Sequence, residues 1–334
     1  MLKTAEFVSL GHPDKTADFI TCVLLDTLLL QDKNLKYAVE VMIKDNTVVL
    51  GGEISGNIRT DNLTEIVKKA LRTIGYDERY ASLWGDKAIN IHKINVINLI
   101  GVQSGEILQG VNQNGWGDQG VFAGYACQGP DNMPLELTLA RHLNTALYET
   151  AKKSDTLGLD IKTQITLDET GHIHTAIVAI PMLEKTDLTD FIIQTLGQKP
   201  DKLIINGTGA YTVHSSIADC GITGRKLACD FYSLACPVGG GSPWTKDASK
   251  ADLTLNLYAR KLACQHLKDN DECFVYLSSC IGQAELPSAV IKTIKNGITE
   301  IQTINIDLIP SEIIRLVGLD KPIFAHLCQN GLLV

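Results

Sequence analysis

Apolar residues recur along the chain in two periods, and the polar stretches between them set the elements apart. The clearest run is Leu63, Ile66, Val67, Ala70, Leu71 and Ile74, spaced as one face of a helix. Asp61 or Asn62 caps its start and Gly75 ends it. A second helical pattern covers residues 14–31, with Pro13 at its first turn. Residues 37–43 and 47–54 are β-rich and joined by Lys44-Asp45-Asn46, which predicts a hairpin. Further strands are expected over 94–100, 161–167, 173–180, 202–206, 273–280 and 288–294, and further helices over 134–152, 188–196, 251–268 and 311–317. Residues 101–120 and 207–252 lose periodicity and are rich in glycine; the first reads as a lid loop. Hairpin, helix and strand recur about three times without a fixed repeat. That rhythm predicts an α+β protein with helices packed on mixed sheets.

Composition narrows the class. The chain has 334 residues, 45% hydrophobic and 20% charged, which suits two or three folded domains rather than disorder. A formal charge of -8 argues against a nucleic-acid partner, which needs a basic footprint. The 9 cysteines form no C-x-x-C pair, so they read as free thiols of a reducing compartment. The most apolar stretch, 23–30, is interrupted by Asp26 and too short to span a bilayer, and residues 1–6 lack a signal-type apolar run. These features point to a cytoplasmic protein without a membrane partner.

Five polar segments carry the candidate chemistry. Gly11-His12-Pro13-Asp14-Lys15 opens a helix, where backbone N–H groups favour anions. Asp14 offers oxygen to Mg²⁺ and His12 a hydrogen bond to a leaving oxygen; the same segment also reads as a polar cap with a surface lysine. Glu40 and Glu53 interrupt apolar strands, the latter behind Gly51-Gly52, either to hold a cation or to face water. Gly115-Trp116-Gly117-Asp118-Gln119-Gly120 is a tight loop around one carboxylate. Asp219-Cys220-Gly221-Ile222-Thr223-Gly224-Arg225-Lys226 suits a polyphosphate, or is a basic turn. The last segment runs from Gly239-Gly240-Gly241 to Lys246-Asp247-Ala248-Ser249-Lys250-Ala251-Asp252. If it is helical, Lys246 and Lys250 share a face that a bound anion would relieve. Together the segments provide cations and a few carboxylates on glycine-rich backbone, the inventory for Mg²⁺-bound nucleotide phosphates. No P-loop, dinucleotide fingerprint or kinase signature set is present.

The ordered motifs GHPDK, GGEI, GxGDQG, DCGxTGRK and GGG…KDxSKxD resemble the methionine adenosyltransferase family over essentially the whole chain. The resemblance implies three similar α+β domains about a pseudo-threefold axis: 1–102, a lid at 103–120, then 121–214 and 215–334. It implies formation of S-adenosylmethionine from ATP and L-methionine, with Mg²⁺ and K⁺ as cofactors. It also implies a homodimer with shared active sites, or a dimer of dimers. By the same resemblance His12, Lys15, Arg225, Lys226, Lys246 and Lys250 are expected to be catalytic. ATP is expected at Glu6, His12, Lys15, Asp160, Lys162, Tyr211, Asp219, Arg225, Lys226 and Lys246. Methionine is expected at Glu53, Gln103, Asp118 and Lys250, Mg²⁺ at Asp14 and Asp252, and K⁺ at Glu40. The sequence departs from the family pattern at Leu10, Gly207 and Ala210, and in a short 103–118 loop.

Overall fold

Twelve strands and eight longer helices are formed within residues 2–102 and 115–331, the parts of the chain that the computed structural model describes. The order is β1 (Lys3–Val8), α1 (Pro13–Leu29), β2 (Lys36–Lys44), β3 (Thr47–Ser55), α2 (Leu63–Ile74), α3 (Glu78–Trp84) and β4 (Asn95–Val102). Next come β5 (Gly120–Cys127), α4 (Leu135–Ala151), β6 (Lys162–Leu167), β7 (Ile173–Ala179), α5 (Thr189–Leu196), β8 (Lys202–Ile205) and β9 (Gly221–Ile222). The chain closes with α6 (Ala251–Leu267), β10 (Glu272–Ser279), β11 (Ser288–Lys295), β12 (Ile298–Thr303), α7 (Pro310–Leu316) and α8 (Phe324–Asn330).

The strands form three four-stranded sheets, ordered β4-β3-β2-β9, β1-β6-β7-β8 and β12-β11-β10-β5. Each is mixed or antiparallel and each takes one strand from a distant part of the chain. β1 lies antiparallel to β6 with Lys3 opposite Leu167, β5 lies antiparallel to β10, and β9 lies antiparallel to β2. The α+β expectation therefore holds, and the sheets cut across the contiguous spans expected from the sequence. Among the described residues no helix is long and apolar enough to cross a membrane, and all nine cysteines are free.

The predicted helices form where their apolar faces find a sheet or a neighbour. The periodic residues of α2 are all buried, and Gly75 ends the helix at φ 113°, a backbone that suits glycine. Asn62 holds the N-cap position of α2 without a side-chain cap bond. α4 packs on β1 and β6, and α6 on β5 and β10. Close approach explains the small residues of β5: a Cβ on Gly124 would sit 2.0 Å from the backbone of Ala259 on α6.

α1 is unusual in burying its polar residues. Everything from Pro13 to Leu25 is buried, including Asp14, Lys15, Thr16, Asp18 and Thr21. Buried polar groups require partners inside the protein, and each of these finds one in another segment. Thr16 donates to the Leu10 carbonyl (2.9 Å), Thr21 to the Val39 carbonyl (2.7 Å), and Asp18 accepts from Gly224 N–H (2.8 Å). Further along, Asp26 accepts from Phe324 and Ala325 N–H (3.0 and 2.9 Å), the first turn of α8. α1 is thus the hub to which the other segments are tied.

Candidate active site

Two segments converge on the first turn of α1, each admitted by a glycine, and a third joins them along β2. A Cβ on Gly11 would lie 2.2 Å from the Leu159 carbonyl oxygen, and one on Gly221 would lie 2.2 Å from that of Pro13. Gly11 therefore brings residues 159–162 alongside the helix start, and Gly221 does the same for residues 219–226. Ser9 stitches the first junction, donating to the Leu159 carbonyl (2.6 Å) and accepting from Ile161 N–H (2.9 Å).

The third segment, 245–247, runs beside β2. Val39 N–H donates to the Thr245 carbonyl (2.9 Å) and Asp247 N–H to that of Tyr37 (3.0 Å). β9 pairs with the same strand at Met42 and Ile43. Glu40 lies between the two attachments and accepts hydroxyl hydrogen bonds from Thr223 on one side and Thr245 on the other (3.0 Å for Thr245). One carboxylate thus fastens both cation-bearing segments to one strand. This corrects the helical reading of 246–250: the stretch lies along β2, α6 begins only at Ala251, and Lys250 is its N-cap residue.

His12 occupies the N-cap of α1, and its Nδ1 accepts from Asp14 N–H at 3.1 Å. Burial, then the charges of Lys226 and Lys162, push the imidazole down to about 3. His12 is therefore neutral at working pH, and with Nδ1 accepting, Nε2 carries the hydrogen. Burial alone would raise the Asp14 carboxyl. Hydrogen bonds from Lys226 and from Ile222 N–H (2.9 Å) outweigh it and hold the group below its ordinary value. Arg225 stands 3.9 Å from the same carboxylate. Asp252 is paired in the same manner, with Lys246 on Oδ2 and Gly241 N–H on Oδ1 (2.6 Å).

Asp160 accepts from Ser215 N–H (3.0 Å), and its Oδ1 is buried without a partner. Burial pushes its carboxyl up to about 6, against the pull of that N–H and of Lys162. Burial raises the Tyr211 phenol, and nearby Asp160 adds to the rise. Exposed Lys162 and Asp219 border this group. The loop around Asp118 is tied to the stretch before α6: Gly117 N–H donates to the Ser249 carbonyl (3.1 Å), next to Lys250. Glu53 is half-buried on β3. In register it faces Ala38, so by alternation it shares the open side of its sheet with Glu40 and Met42.

Two expected site residues, Lys15 and Glu6, are not brought into this cluster. The Lys15 ammonium points into the core, 2.7 and 2.9 Å from the Asp230 oxygens, 3.3 Å from Asp18 and over the Trp244 ring. Burial would lower its pKa, but Asp230 overrides this and raises it well above the ordinary value. Glu6 is exposed on β1, opposite Gln164. Gln103 lies outside the described residues, as do residues 103–114 of the expected lid.

Sequence reasoning missed Asp18, Asp230, Thr223 and Thr245. Burial raises the Asp18 carboxyl to about 7 despite Lys15 beside it. Asp18 sits one turn after Asp14 on a helix whose apolar neighbours imply burial, and that spacing was its available signal. Among the described residues no group of three or more His, Cys, Asp or Glu gathers at one point.

Comparison with known proteins points to one family. Family models match end to end: S-adenosylmethionine synthetase N-terminal domain at residues 1–105, central domain at 113–211 and C-terminal domain at 213–334. A solved structure described as an unusual S-adenosylmethionine synthetase from Campylobacter jejuni is 32% identical, with a TM-score of 0.87 over 99% of this chain and 94% of that one.

Proposed function

The chain belongs to the S-adenosylmethionine synthetase family of methionine adenosyltransferases, whose substrates are ATP and methionine, and we propose a mechanism in which substrate alignment and charge neutralisation supply the catalysis. The methionine sulfur attacks the ATP 5′ carbon. A C–S bond forms as the C–O bond to the triphosphate breaks, and the triphosphate departs with the electron pair. Water then cleaves the triphosphate to pyrophosphate and phosphate. Thioether sulfur is already nucleophilic, so no protein nucleophile is needed and the enzyme's work falls on the leaving group.

The observation that carries this reading is the state of His12. A neutral imidazole with Nδ1 occupied has one hydrogen left, on Nε2, at the start of a buried helix. In the proposed reaction it donates to the oxygen that bridges ribose and triphosphate as charge develops there. Arg225, Lys226, Lys246, Lys250 and Lys162 surround the phosphates. Asp160, Asp219 and Tyr211 meet the adenosine. Glu53, Gln103, Asp118 and Lys250 hold methionine. Lys15 serves differently, as a positioning residue that fixes Asp230 behind the helix.

Two sets of oxygen donors suit the metals. Mg²⁺ usually takes one or two carboxylates and completes its shell with water and substrate phosphate. Asp14 and Asp252 suit it, because each is paired with one lysine that is free to transfer to phosphate. Bound there, Mg²⁺ neutralises phosphate charge. Glu40, with the hydroxyls of Thr223 and Thr245, offers oxygen donors suited to K⁺.

A homodimer with shared sites, alone or doubled, completes the proposal. Met42, Ile97, Leu99 and Val102 are exposed apolar residues on β2 and β4, with Leu99 64% and Val102 85% exposed. Such residues on the sheet that carries Glu40 and Glu53 support a second copy covering that sheet. We place the enzyme in the cytoplasm, in keeping with its free thiols. The test is one incubation of purified protein with ATP, L-methionine, Mg²⁺ and K⁺, read by mass spectrometry. S-adenosylmethionine with pyrophosphate and phosphate is expected; nucleotide binding without these products would sink the proposal.

A further inference from the structure

On the helical side of the fold lies a cavity of about 780 Å³, distinct from the site above. Residues 130–133, the first half of α4, the turn at 229–231 and α8 enclose it, and Phe7, Met133, Leu137, Phe231 and Leu327 supply apolar wall. A smaller cavity of about 120 Å³ also reaches Phe7, Arg141, Thr145 and Asn330.

Arg141 thus lines both cavities, and its guanidinium is poorly matched. Its hydrogen bond to Asn330 Oδ1 is long, at 3.5 Å, and it stands 6.0 Å from the Phe7 ring centroid. It forms no ion pair among the described residues. Burial lowers its pKa, while Asp131 and Asp230 act on it only through space. Asp230 is already held by Lys15 and by Trp244 Nε1 (2.8 Å), and Asp131 is exposed at the rim. Neighbouring Arg260 differs, since its terminal nitrogens are satisfied by the carbonyls of Tyr125, Asp131 and Asn132.

A partly buried guanidinium short of an anion, set among apolar side chains in a cavity of ligand size, has a chemical complement. We propose that this cavity is a second ligand site, taking a small organic carboxylate with an apolar body. The carboxylate pairs with Arg141 and the body packs against Met133, Leu137 and Phe231. No residue assigned above to ATP, methionine or metal contact lines the larger cavity. Filling it therefore does not compete with the reaction.

The test uses 2-naphthoate as probe and 2-naphthylmethanol as its uncharged analogue. Both are titrated calorimetrically into the full-length protein, saturated with a non-hydrolysable ATP analogue and methionine. One naphthoate per chain is expected, bound at least about tenfold more tightly than the alcohol. Arg141→Leu, which keeps an apolar side chain, should remove that preference. Equal binding of acid and alcohol by the unaltered protein overturns the proposal, whether or not the variant folds. So does displacement of naphthoate by the nucleotide and methionine. A crystal structure with naphthoate elsewhere, or with the chain's own residues 332–334 filling the cavity, overturns it as well.

Discussion

Acid should destabilise this protein through His214, and the size of the effect follows from its surroundings. The imidazole packs edge-on against Trp84 at 4.6 Å and near Tyr80. Nδ1–H donates to the Thr212 carbonyl (2.7 Å), and the Tyr80 hydroxyl donates to Nε2. Burial lowers its pKa from 6.5 to about 4, with the Thr212 carbonyl pulling weakly the other way. The folded state therefore keeps this histidine neutral while the unfolded chain protonates it below pH 6.5, so stability falls as pH falls. The loss begins near the unfolded value and levels off below about 4. Two-state linkage gives about 2 kcal/mol lost between pH 8 and pH 5, and about 3 kcal/mol at the limit. The perturbation is His214→Gln, which cannot titrate. Urea unfolding of both proteins at pH 8 and pH 5, at one fixed protein concentration, isolates the term, because groups common to both cancel. The wild-type protein should lose about 2 kcal/mol more than the variant on acidification. Equal losses, within about 0.5 kcal/mol, would refute the burial argument. The effect would also reach the site, since Ser215, the next residue, holds Asp160 through its N–H.

Two further outcomes concern the chemistry. His12→Asn should slow sulfonium formation by about 10²–10³-fold, while hydrolysis of added tripolyphosphate changes much less; equal loss in both steps, measured by single-turnover quench, would remove His12 from the leaving oxygen. Glu40→Gln trades one acceptor for a donor between Thr223 and Thr245 and so loosens two cationic segments; the KM for ATP should rise about tenfold, and an unchanged KM would show that the carboxylate does not fasten them.

Much of this architecture was legible in the sequence, for reasons that can be named. α2 announced itself because its apolar residues keep one face over three turns and a glycine follows. The β2–β3 hairpin was visible because both strands alternate around a polar turn. β5 was missed because Gly120, Ala123, Gly124 and Ala126 look like loop composition, whereas the small residues admit α6 at close range. β12 was missed because all its residues are exposed, leaving no buried face to set a period. In the site, the motif residues were recognisable as types, but their pairing was not. That Lys15 turns inward to Asp230 while Lys226 meets Asp14 depends on contacts between residues far apart in the chain. Local spacing carries no information about such partners.

The borrowed strand in each sheet has a consequence for how the molecule comes into being. The first sheet is incomplete until Gly221 and Ile222 are made, the sheet that begins with Lys3 waits for residue 162, and β5 waits for β10. During synthesis, then, neither the first nor the second third of the chain can complete its sheets when it leaves the ribosome. Long loops must close before the pairings that reward them form, which slows folding and leaves strand edges open meanwhile. The three units are woven rather than strung, and the cationic segments reach their places only as the weave closes.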